Sequence, residues 1–553
     1  MITISFSQTI SSVKLSKTKN DEINEIQLEY TDKSWGKIGE YDLSLSYNFK
    51  NPDIKKISID EVDYTRLELE DYSNIQKPGE PLIPCKPVRI LLPKNSNFES
   101  LEVIKGEETI YNIENKVEPG QICYPLSSKP EESYSEPKSE IYDSNKLFPE
   151  NNYEVVTIQN FRGFKILILR LYPVQYIPNE GKILYYSNLK IGNINVVNSE
   201  KESVSNQLFR GINKDFEEVK KRVDNYDALS SYNNDLLPSN IDEEQNNQLG
   251  SLSIESSGID EEYDYVIITT QGLANYNGEN SFHDLCEYRE NNGLKAKIVT
   301  VEEIYNNYVG SSNADRILNF IRYAYYSWNL EYVLLGGDYD LVPSKQVEVP
   351  YCCGYVTFPS DTYYASVDGD LTAEVYVGRA PVDNYNEISN FVKKTLDYET
   401  TDNEYIEKAL WVGEYLGFGG ISDYAAPAKE QNIGFCSDDG YSTIGLPEGG
   451  ENGYSVTRLY DMQSSWSKSS LMTLLNSGYH LVNHLGHSDD DYNMKMYNSD
   501  IETLSNNKYF FVYSQGCNAG AFDRGECAAE YFTVKTDHGA FAGIWNARSG
   551  WGR

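Results

Sequence analysis

At 553 residues and 40% apolar content, the chain can build about three or four domains with cores of their own. Its formal net charge of −36 argues against nucleic acid and anionic membrane surfaces as partners, because both would repel it, and it favours divalent cations. No run reaches the roughly 18 apolar residues of a membrane-spanning helix, and five histidines leave few candidates for a catalytic base.

The first residues, Met1-Ile2-Thr3-Ile4-Ser5-Phe6, lack the basic start and apolar core of a secretory signal. Either the true start lies upstream or export uses another route. Residues 1–197 form the first predicted domain. Short alternating runs such as Glu40-Tyr41-Asp42-Leu43-Ser44-Leu45-Ser46-Tyr47 and Lys165-Ile166-Leu167-Ile168-Leu169-Arg170-Leu171-Tyr172 are punctuated by turn residues, with almost no helical period. This predicts an all-β unit, a sandwich or barrel-like arrangement. Within it, Lys77-Pro78-Gly79-Glu80-Pro81-Leu82-Ile83-Pro84 must be largely extended, since each proline biases its predecessor away from helix. Residues 198–262 shift to Ser, Asn, Asp, Glu and Lys, which predicts an exposed acidic and polar linker with one helix near 214–226. Arg210 and Arg222 are its candidate processing points.

From residue 263 strands and helices alternate. Tyr265-Val266-Ile267-Ile268-Thr269 reads as a strand, residues 280–291 as a helix stopped by Gly293, and residues 296–300 as the next strand. A longer helix opening at Asn313 sets Ile317, Phe320, Ile321, Ala324 and Trp328 on one face, and Val333-Leu334-Leu335 leads into Gly336-Gly337-Asp338. This βαβαβ order predicts a doubly wound, mostly parallel sheet. Helical spacing returns at 387–398, and Ala409-Leu410-Trp411-Val412-Gly413 opens a second unit, so residues 263–400 and 401–553 are expected as two α/β halves.

The chemistry concentrates between residues 479 and 523. One apolar run, Tyr479-His480-Leu481-Val482-Asn483-His484-Leu485, gives out at Gly486-His487-Ser488; a second, Tyr509-Phe510-Phe511-Val512-Tyr513, gives out at Gln515-Gly516-Cys517-Asn518. Read as neighbouring parallel strands, joined through a helix starting at Ser499-Asp500-Ile501-Glu502, they place His487 and Cys517 at the edge where open α/β sheets hold their sites. A thiol beside an imidazole ionises more easily and becomes a nucleophile. Alone, a cysteine is more often a small core residue; two reactive residues at consecutive strand ends favour a catalytic pair. Glu414, at the end of 409–413, is placed to orient His487. His484 reads as packed on the sheet face, and Asp489-Asp490-Asp491 as a solvated turn. Asp338, Asp361, Asp368, Asp370 and Glu374 make an oxygen-rich set that composition alone leaves open between an acidic loop and a site for a hard cation. The eight cysteines include no CxxC pair, and disulfides among Cys85, Cys123, Cys286, Cys352, Cys353, Cys436 and Cys527 stay open.

A strand ending in Gly-His followed by one ending in Gln-Gly-Cys is similar to the arrangement in caspases, legumains, separases and gingipains. The chain most resembles the gingipain family of cysteine peptidases, through Leu485-Gly486-His487-Ser488, Tyr332-Val333-Leu334-Leu335-Gly336-Gly337-Asp338, Ser360-Asp361-Thr362-Tyr363-Tyr364 and Glu374-Val375-Tyr376-Val377-Gly378-Arg379. Where family members often carry Gly after the histidine, Ser488 stands here. The Pro-Gly-x-Pro segment resembles the propeptide domain of gingipain-type zymogens. The resemblance implies a caspase-like α/β catalytic domain made as a zymogen, with its own propeptide as inhibitor and protein or peptide substrates, in a secreted or cell-surface setting. It implies that N–H groups of Ser488 and Cys517 hold the oxyanion, that Asp338, Asp368, Asp370, Thr372 and Glu374 bind calcium, and that no organic cofactor is needed. It further implies that Asp423, with Trp551 as an apolar wall, receives a basic residue before the cut bond. Family members continue with more helix, so the chain is expected to be cut short after Arg553. Alternative readings are a transpeptidase resolved by an amine on the same site, or an inert adhesin that keeps the fold.

Overall fold

The computed structural model describes residues 39–198, 208–232 and 262–552, apart from 42, 60, 71, 76, 123, 127–134, 352–353, 371, 402–404, 419–422, 434–435, 439–440, 444 and 451–452. Its N-terminal region is strand-rich and antiparallel, as the alternation predicts. Phe164–Leu171 lies between Tyr153–Phe161 and Pro84–Leu91, and Asn188–Asn198 pairs with Ser96–Lys105. Leu167, Leu169 and Leu171 face one core with Val88 and Ile90. The intervening Ile166 and Ile168 face a second core made with Val219, Val223 and Tyr232. A strand covered on both faces reads as a continuous apolar run, and this one does.

The second cover comes from the stretch predicted to be an exposed linker. Helix Asn213–Lys220 and the 3-10 turn Tyr226–Tyr232 lie on the β-domain, while Leu208 enters the core of the following domain beside Val266, Ile317 and Leu335. Few apolar residues suffice, because each lands on an apolar face that already exists. Beneath this bridge, the hairpin between Tyr153–Phe161 and Phe164–Leu171 turns at Arg162-Gly163. Both residues have positive φ, +51° and +85°, the requirement of a type I′ turn. The turn sends Arg162, 1% exposed, to Asp215 at 2.8 Å and to the Glu374 carbonyl at 3.1 Å, with Glu331 at 3.8 Å. Arg210 donates to the same Asp215 at 2.6 Å. Three chain segments therefore meet in one buried ionic cluster.

The first α/β half holds β1 (Tyr265–Thr269), β2 (Ala296–Thr300), β3 (Tyr332–Gly336) and β4 (Tyr376–Ala380), parallel in the order β2-β1-β3-β4. Its crossovers include α1 (Phe282–Asn291), opened by a Ser281–Asp284 capping box, and α2 (Asn313–Ser327), capped by Ser312. Asp361 and Arg379, both in the sequence segments quoted above, form a buried two-pronged pair at 2.7 and 2.8 Å. Arg379 also donates to the Gly337 and Val342 carbonyls, which fixes the turn after β3.

Helix α3 (Tyr385–Thr400) leads to the second half, where β5 (Lys408–Gly413), β6 (Ser455–Tyr460), β7 (Leu481–Leu485), β8 (Phe510–Ser514) and β9 (Ala540–Ile544) run parallel in the order β6-β5-β7-β8-β9. Buried Lys394 of α3 bonds the Phe532 and His538 carbonyls and so ties the halves together. Between β7 and β8 the predicted helix is a single turn, Asn498–Ile501, reached through a small meander of Ser488–Asp489, Tyr492–Asn493 and Met496–Tyr497. The chain leaves β5 toward β6 and then crosses to β7. The crevice beyond the ends of β5 and β7 is thus a topological switch point, where open α/β sheets bind ligands.

Candidate active site

Cys517 follows β8 by three residues and His487 follows β7 by two, so both leave the same edge of adjacent strands. Cys517 is 2% exposed, while His487 stands in the open. The turns that carry them touch. A Cβ built on Gly516 would lie 1.8 Å from Ser488 Oγ, and Asn518 Nδ2 donates to Asp489 at 3.2 Å. Gly486 is equally constrained, because a Cβ there would meet the Glu414 carboxyl carbon at 2.4 Å and His484 Nε2 at 2.5 Å. Immediately after the thiol, Asn518 adopts a left-handed φ of +56°, a conformation Asn tolerates better than most residues.

Glu414 is buried and reaches His487 through the main chain, not the ring. Its Oε2 accepts the His487 N–H at 3.1 Å, and its Oε1 lies 3.2 Å from Nε2 of His484. His484 is fully buried, which pushes its pKa down and favours the neutral ring. Its Nδ1 meets Ser514 Oγ at 2.9 Å; Asn493 donates to Ser514 at 2.9 Å and to Ser488 at 2.8 Å. A polar chain thus runs from β5 through β7 to β8 beside His487. Beside it, buried Lys429 donates to Asn483 at 2.6 Å and to Gln515 at 2.8 Å, two residues before Cys517. Sequence reasoning passed over Lys429, Asn483 and Ser514. The available signal was polar residues inside apolar strands, which fold only if satisfied.

The crevice is not empty of protein. Tyr124–Pro125 from the N-terminal domain pairs antiparallel with Trp551–Gly552, and the Leu126 N–H donates to the Gly550 carbonyl at 2.7 Å. The N–H of Gly550 in turn lies 3.3 Å from Cys517 Sγ. Leu126, 1% exposed, packs with Leu416, Phe418, Ala425, Leu485 and Cys517. Trp551, expected as a wall of the substrate pocket, pairs through its backbone with Pro125. Asp423 sits half-buried in the turn after β5, where its carbonyl accepts the Leu416 N–H at 2.7 Å.

The acidic residues divide. Asp368, Asp370 and Glu374 each bring a carboxylate oxygen within 4.8 Å of the others. Asp338 stands outside that group, past the end of β3, with Asp383 and Glu530 as acidic neighbours, and burial raises its pKa. Thr372 donates its N–H to Asp370 at 2.7 Å. Burial pushes Glu374 up to about 8, and its Oε1 has no hydrogen-bond partner. The N-terminal domain enters here too, through the Asn160 N–H to Asp370 at 3.0 Å. Among the described cysteines, Cys286, Cys517 and Cys527 are free thiols; Cys123, Cys352 and Cys353 and the side chain of Cys436 lie outside the described residues.

Fold and site together define an α/β chain with Cys517 and His487 leaving the same edge of neighbouring strands, where a segment of its own β-rich N-terminal domain packs against Cys517. The chain belongs to peptidase family C25, whose model matches residues 259–553, and the propeptide model of that family matches residues 39–223. It is similar to an uncharacterized protein of Archaeoglobus fulgidus, 28% identical over 297 residues, which are 47% of this chain and 66% of that one. It is also similar to Lys-gingipain HG66 of Porphyromonas gingivalis, 27% identical over 201 residues, which are 35% of this chain and 11% of that protein. Among solved structures, the Arg-specific cysteine proteinase gingipain R is 20% identical, with a TM-score of 0.39 over 53% of this chain and 64% of that one. The complex of Porphyromonas gingivalis RgpB pro- and mature domains gives 20% and 0.39, over 52% and 64%. No helix among the described residues is long and apolar enough to cross a membrane.

Proposed function

We propose that this chain is the latent form of a cysteine endopeptidase, with Cys517 as nucleophile, His487 as its proton partner and residues 124–126 as an internal block. The observation that carries the reading is the seat of Leu126 against Cys517, where an extended segment lies along Gly550–Gly552 as a bound peptide would. In the reaction, the Cys517 sulfur bonds to the substrate's carbonyl carbon. As the C–N bond breaks, His487 passes a proton to the departing amine. Water then adds to the thioester, frees the new carboxyl group and returns the thiol. The N–H groups of Ser488 and Cys517 are the donors assigned to the developing oxyanion. Glu414 is a positioning residue, acting through the His487 backbone.

Calcium fits the group Asp368, Asp370 and Glu374. The donors are hard oxygens, and the unpaired, buried Glu374 Oε1 supplies a vacant lone pair. Bound there, calcium would supply charge neutralisation on the first α/β half, away from the thiol. As a processing point, Arg222 is more accessible than Arg210, whose side chain is 2% exposed and ion-paired; residues 199–207 and 233–261 lie outside the described residues.

Intact-mass measurement of the full chain over time, wild type beside Cys517→Ala, tests the reading. The wild type should cut itself, take up a thiol alkylator at Cys517 and then hydrolyse peptides. The variant should do none of these. Peptide hydrolysis that persists in Cys517→Ala refutes the assignment, and transfer of the acyl group to an added amine in place of water would make the enzyme a transpeptidase.

A further inference from the structure

Strand β9 runs out into a loop, residues 545–550, that lies along the turn carrying the thiol. Resting on the peptidase reading above, we propose that Arg548 is a positioning residue for Cys517: its guanidinium pins this loop, and the loop aims the Cys517 N–H at the place where the oxyanion develops.

Loop and turn are joined along their main chains. Asn546 Nδ2 donates to the Gly516 carbonyl at 3.0 Å, the Asn518 N–H to the Arg548 carbonyl at 2.8 Å, and the Gly520 N–H to the Asn546 carbonyl at 3.0 Å. The Gly550 N–H lies 3.3 Å from Cys517 Sγ. The fit leaves no slack: a Cβ on Gly550 would lie 1.8 Å from the Gln515 carbonyl oxygen, and one on Gly520 would lie 2.9 Å from Trp545 Cβ. The bond from Asn546 has a directional effect. The Gly516 carbonyl and the Cys517 N–H belong to one planar peptide unit and point opposite ways, so holding the carbonyl sets the line of the N–H. The Arg548 carbonyl does the same for the next unit, where Asn518 keeps its left-handed φ of +56°.

Arg548 fastens the loop at three points. Its Nη1 and Nη2 donate to the two oxygens of Asp523 at 2.9 and 2.7 Å, Nη1 also donates to the Ala547 carbonyl at 2.6 Å, and Nε donates to the Thr357 carbonyl at 2.9 Å. Asp523 lies just past the thiol's turn. Thr357 belongs to strand Gly354–Ser360 of the first α/β half, which pairs antiparallel with Lys345–Tyr351; Gln346 of that second strand donates to Asp523 at 3.2 Å. The Arg548 and Asp523 side chains are 14% and 9% exposed, so their two-pronged, charge-assisted pair is largely sheltered from water. A lysine would supply the charge without the fork. All three guanidinium nitrogens are engaged in these contacts, which makes Arg548 a strut and leaves the chemistry to Cys517 and His487.

The test uses the full chain and two small reagents that reach the same sulfur. With p-nitrophenyl acetate, the Cys517 sulfur bonds to the acetyl carbon, an oxyanion forms, and p-nitrophenolate leaves. With iodoacetamide, the sulfur displaces iodide and no oxyanion forms. The ratio of the two rates, each corrected with Cys517→Ala, cancels access to the thiol and reads the oxyanion donors. Arg548→Lys and Asp523→Asn should each lower this ratio about tenfold or more, because a misaimed donor loses most of its effect. The double variant should fall no further than the lower single one, and thermal unfolding confirms that each protein is folded. Asn546→Ala, which strips the amide from the Gly516 carbonyl, reads the same arm should an Arg548 or Asp523 variant unfold. A ratio within about twofold of wild type in the folded variants overturns the positioning role and leaves the peptidase reading intact. If wild-type Cys517 shows no higher ratio than the same thiol in the urea-unfolded chain, the oxyanion site is absent, and the peptidase reading fails together with the proposal.

Discussion

Replacing Gly516 by Ala perturbs the site at a point where the structure names the one group in the way. The new methyl would lie 1.8 Å from Ser488 Oγ and 2.5 Å from Ser488 Cβ; the next atom, the Gly486 carbonyl oxygen, is 3.3 Å away. Ser488 cannot swing aside freely, because its Oγ accepts from Asn493 at 2.8 Å. Overpacking of this kind costs about 1–3 kcal/mol. Ser488→Gly alone gives up one hydrogen bond, about 1 kcal/mol. In the double variant both contacts under 3 Å are gone and the next is at 3.3 Å, which a shift of a few tenths of an ångström relieves. Most of the strain should then vanish, leaving a favourable coupling of about 1–2 kcal/mol. Urea unfolding of the four proteins measures the coupling, and the alkylation rate of Cys517 shows whether the thiol's turn has moved. Additivity within about 0.5 kcal/mol would mean that the two turns do not meet as described.

His484→Ala should cost about 1–3 kcal/mol, since it strips one hydrogen-bond partner from the buried Glu414 carboxylate; a urea-derived loss below about 0.5 kcal/mol would remove that pair from the scaffold. His487→Ala, which empties an exposed position, should abolish peptide turnover with little change in unfolding midpoint, and retained turnover would exclude the ring as proton donor. Burial lowers Lys429 to about 7. The unfolded chain therefore binds a proton that the folded chain lacks between about pH 7 and the ordinary lysine range near 10.4, and stability should rise with pH across that window. Lys429→Met should flatten this rise, so an unchanged difference in melting temperature between pH 7 and pH 9 would count against a buried, readily deprotonated amine. Added calcium should raise the melting temperature of the wild type but not of Glu374→Gln; equal responses would move the cation elsewhere.

Much of the fold was legible because its signals are local. Alternation marked the β-domain, apolar runs bounded by glycine marked the parallel strands, and Gly486-His487 and Gly516-Cys517 stand at the ends of neighbouring β7 and β8. What escaped depends on contacts far apart in sequence. Residues 208–232 look too polar to fold, and only the two-sided apolar run Ile166-Leu167-Ile168-Leu169 hinted that something must cover the second face. Glu414 was placed correctly at a strand end, yet its carboxylate holds the His487 main chain, a distinction that depends on which face the residue leaves. Leu126 could not be singled out, since an ordinary leucine between Pro125 and Ser127 carries no local mark; its seat is made by residues about 290 to 425 positions away. The family resemblance grouped Asp338 with the other acids, and in the structure its acidic neighbours are Asp383 and Glu530.

The ionic cluster around Arg162 bears on what cutting the chain would accomplish. Arg162 belongs to the β-domain, Arg210 and Asp215 to the bridge, and Glu331 to the first α/β half. A cut anywhere from 233 to 261 leaves every one of these pairs standing, together with the apolar seats of Leu208 and Leu126. What it changes is the bookkeeping of association: two pieces once held at a fixed effective concentration become subject to dilution. Severing the backbone and uncovering the thiol are then separate events, and the second is governed by protein concentration. Buried pairs are shielded from added salt, so a freshly cut sample would stay closed in concentrated solution at high ionic strength and open on dilution.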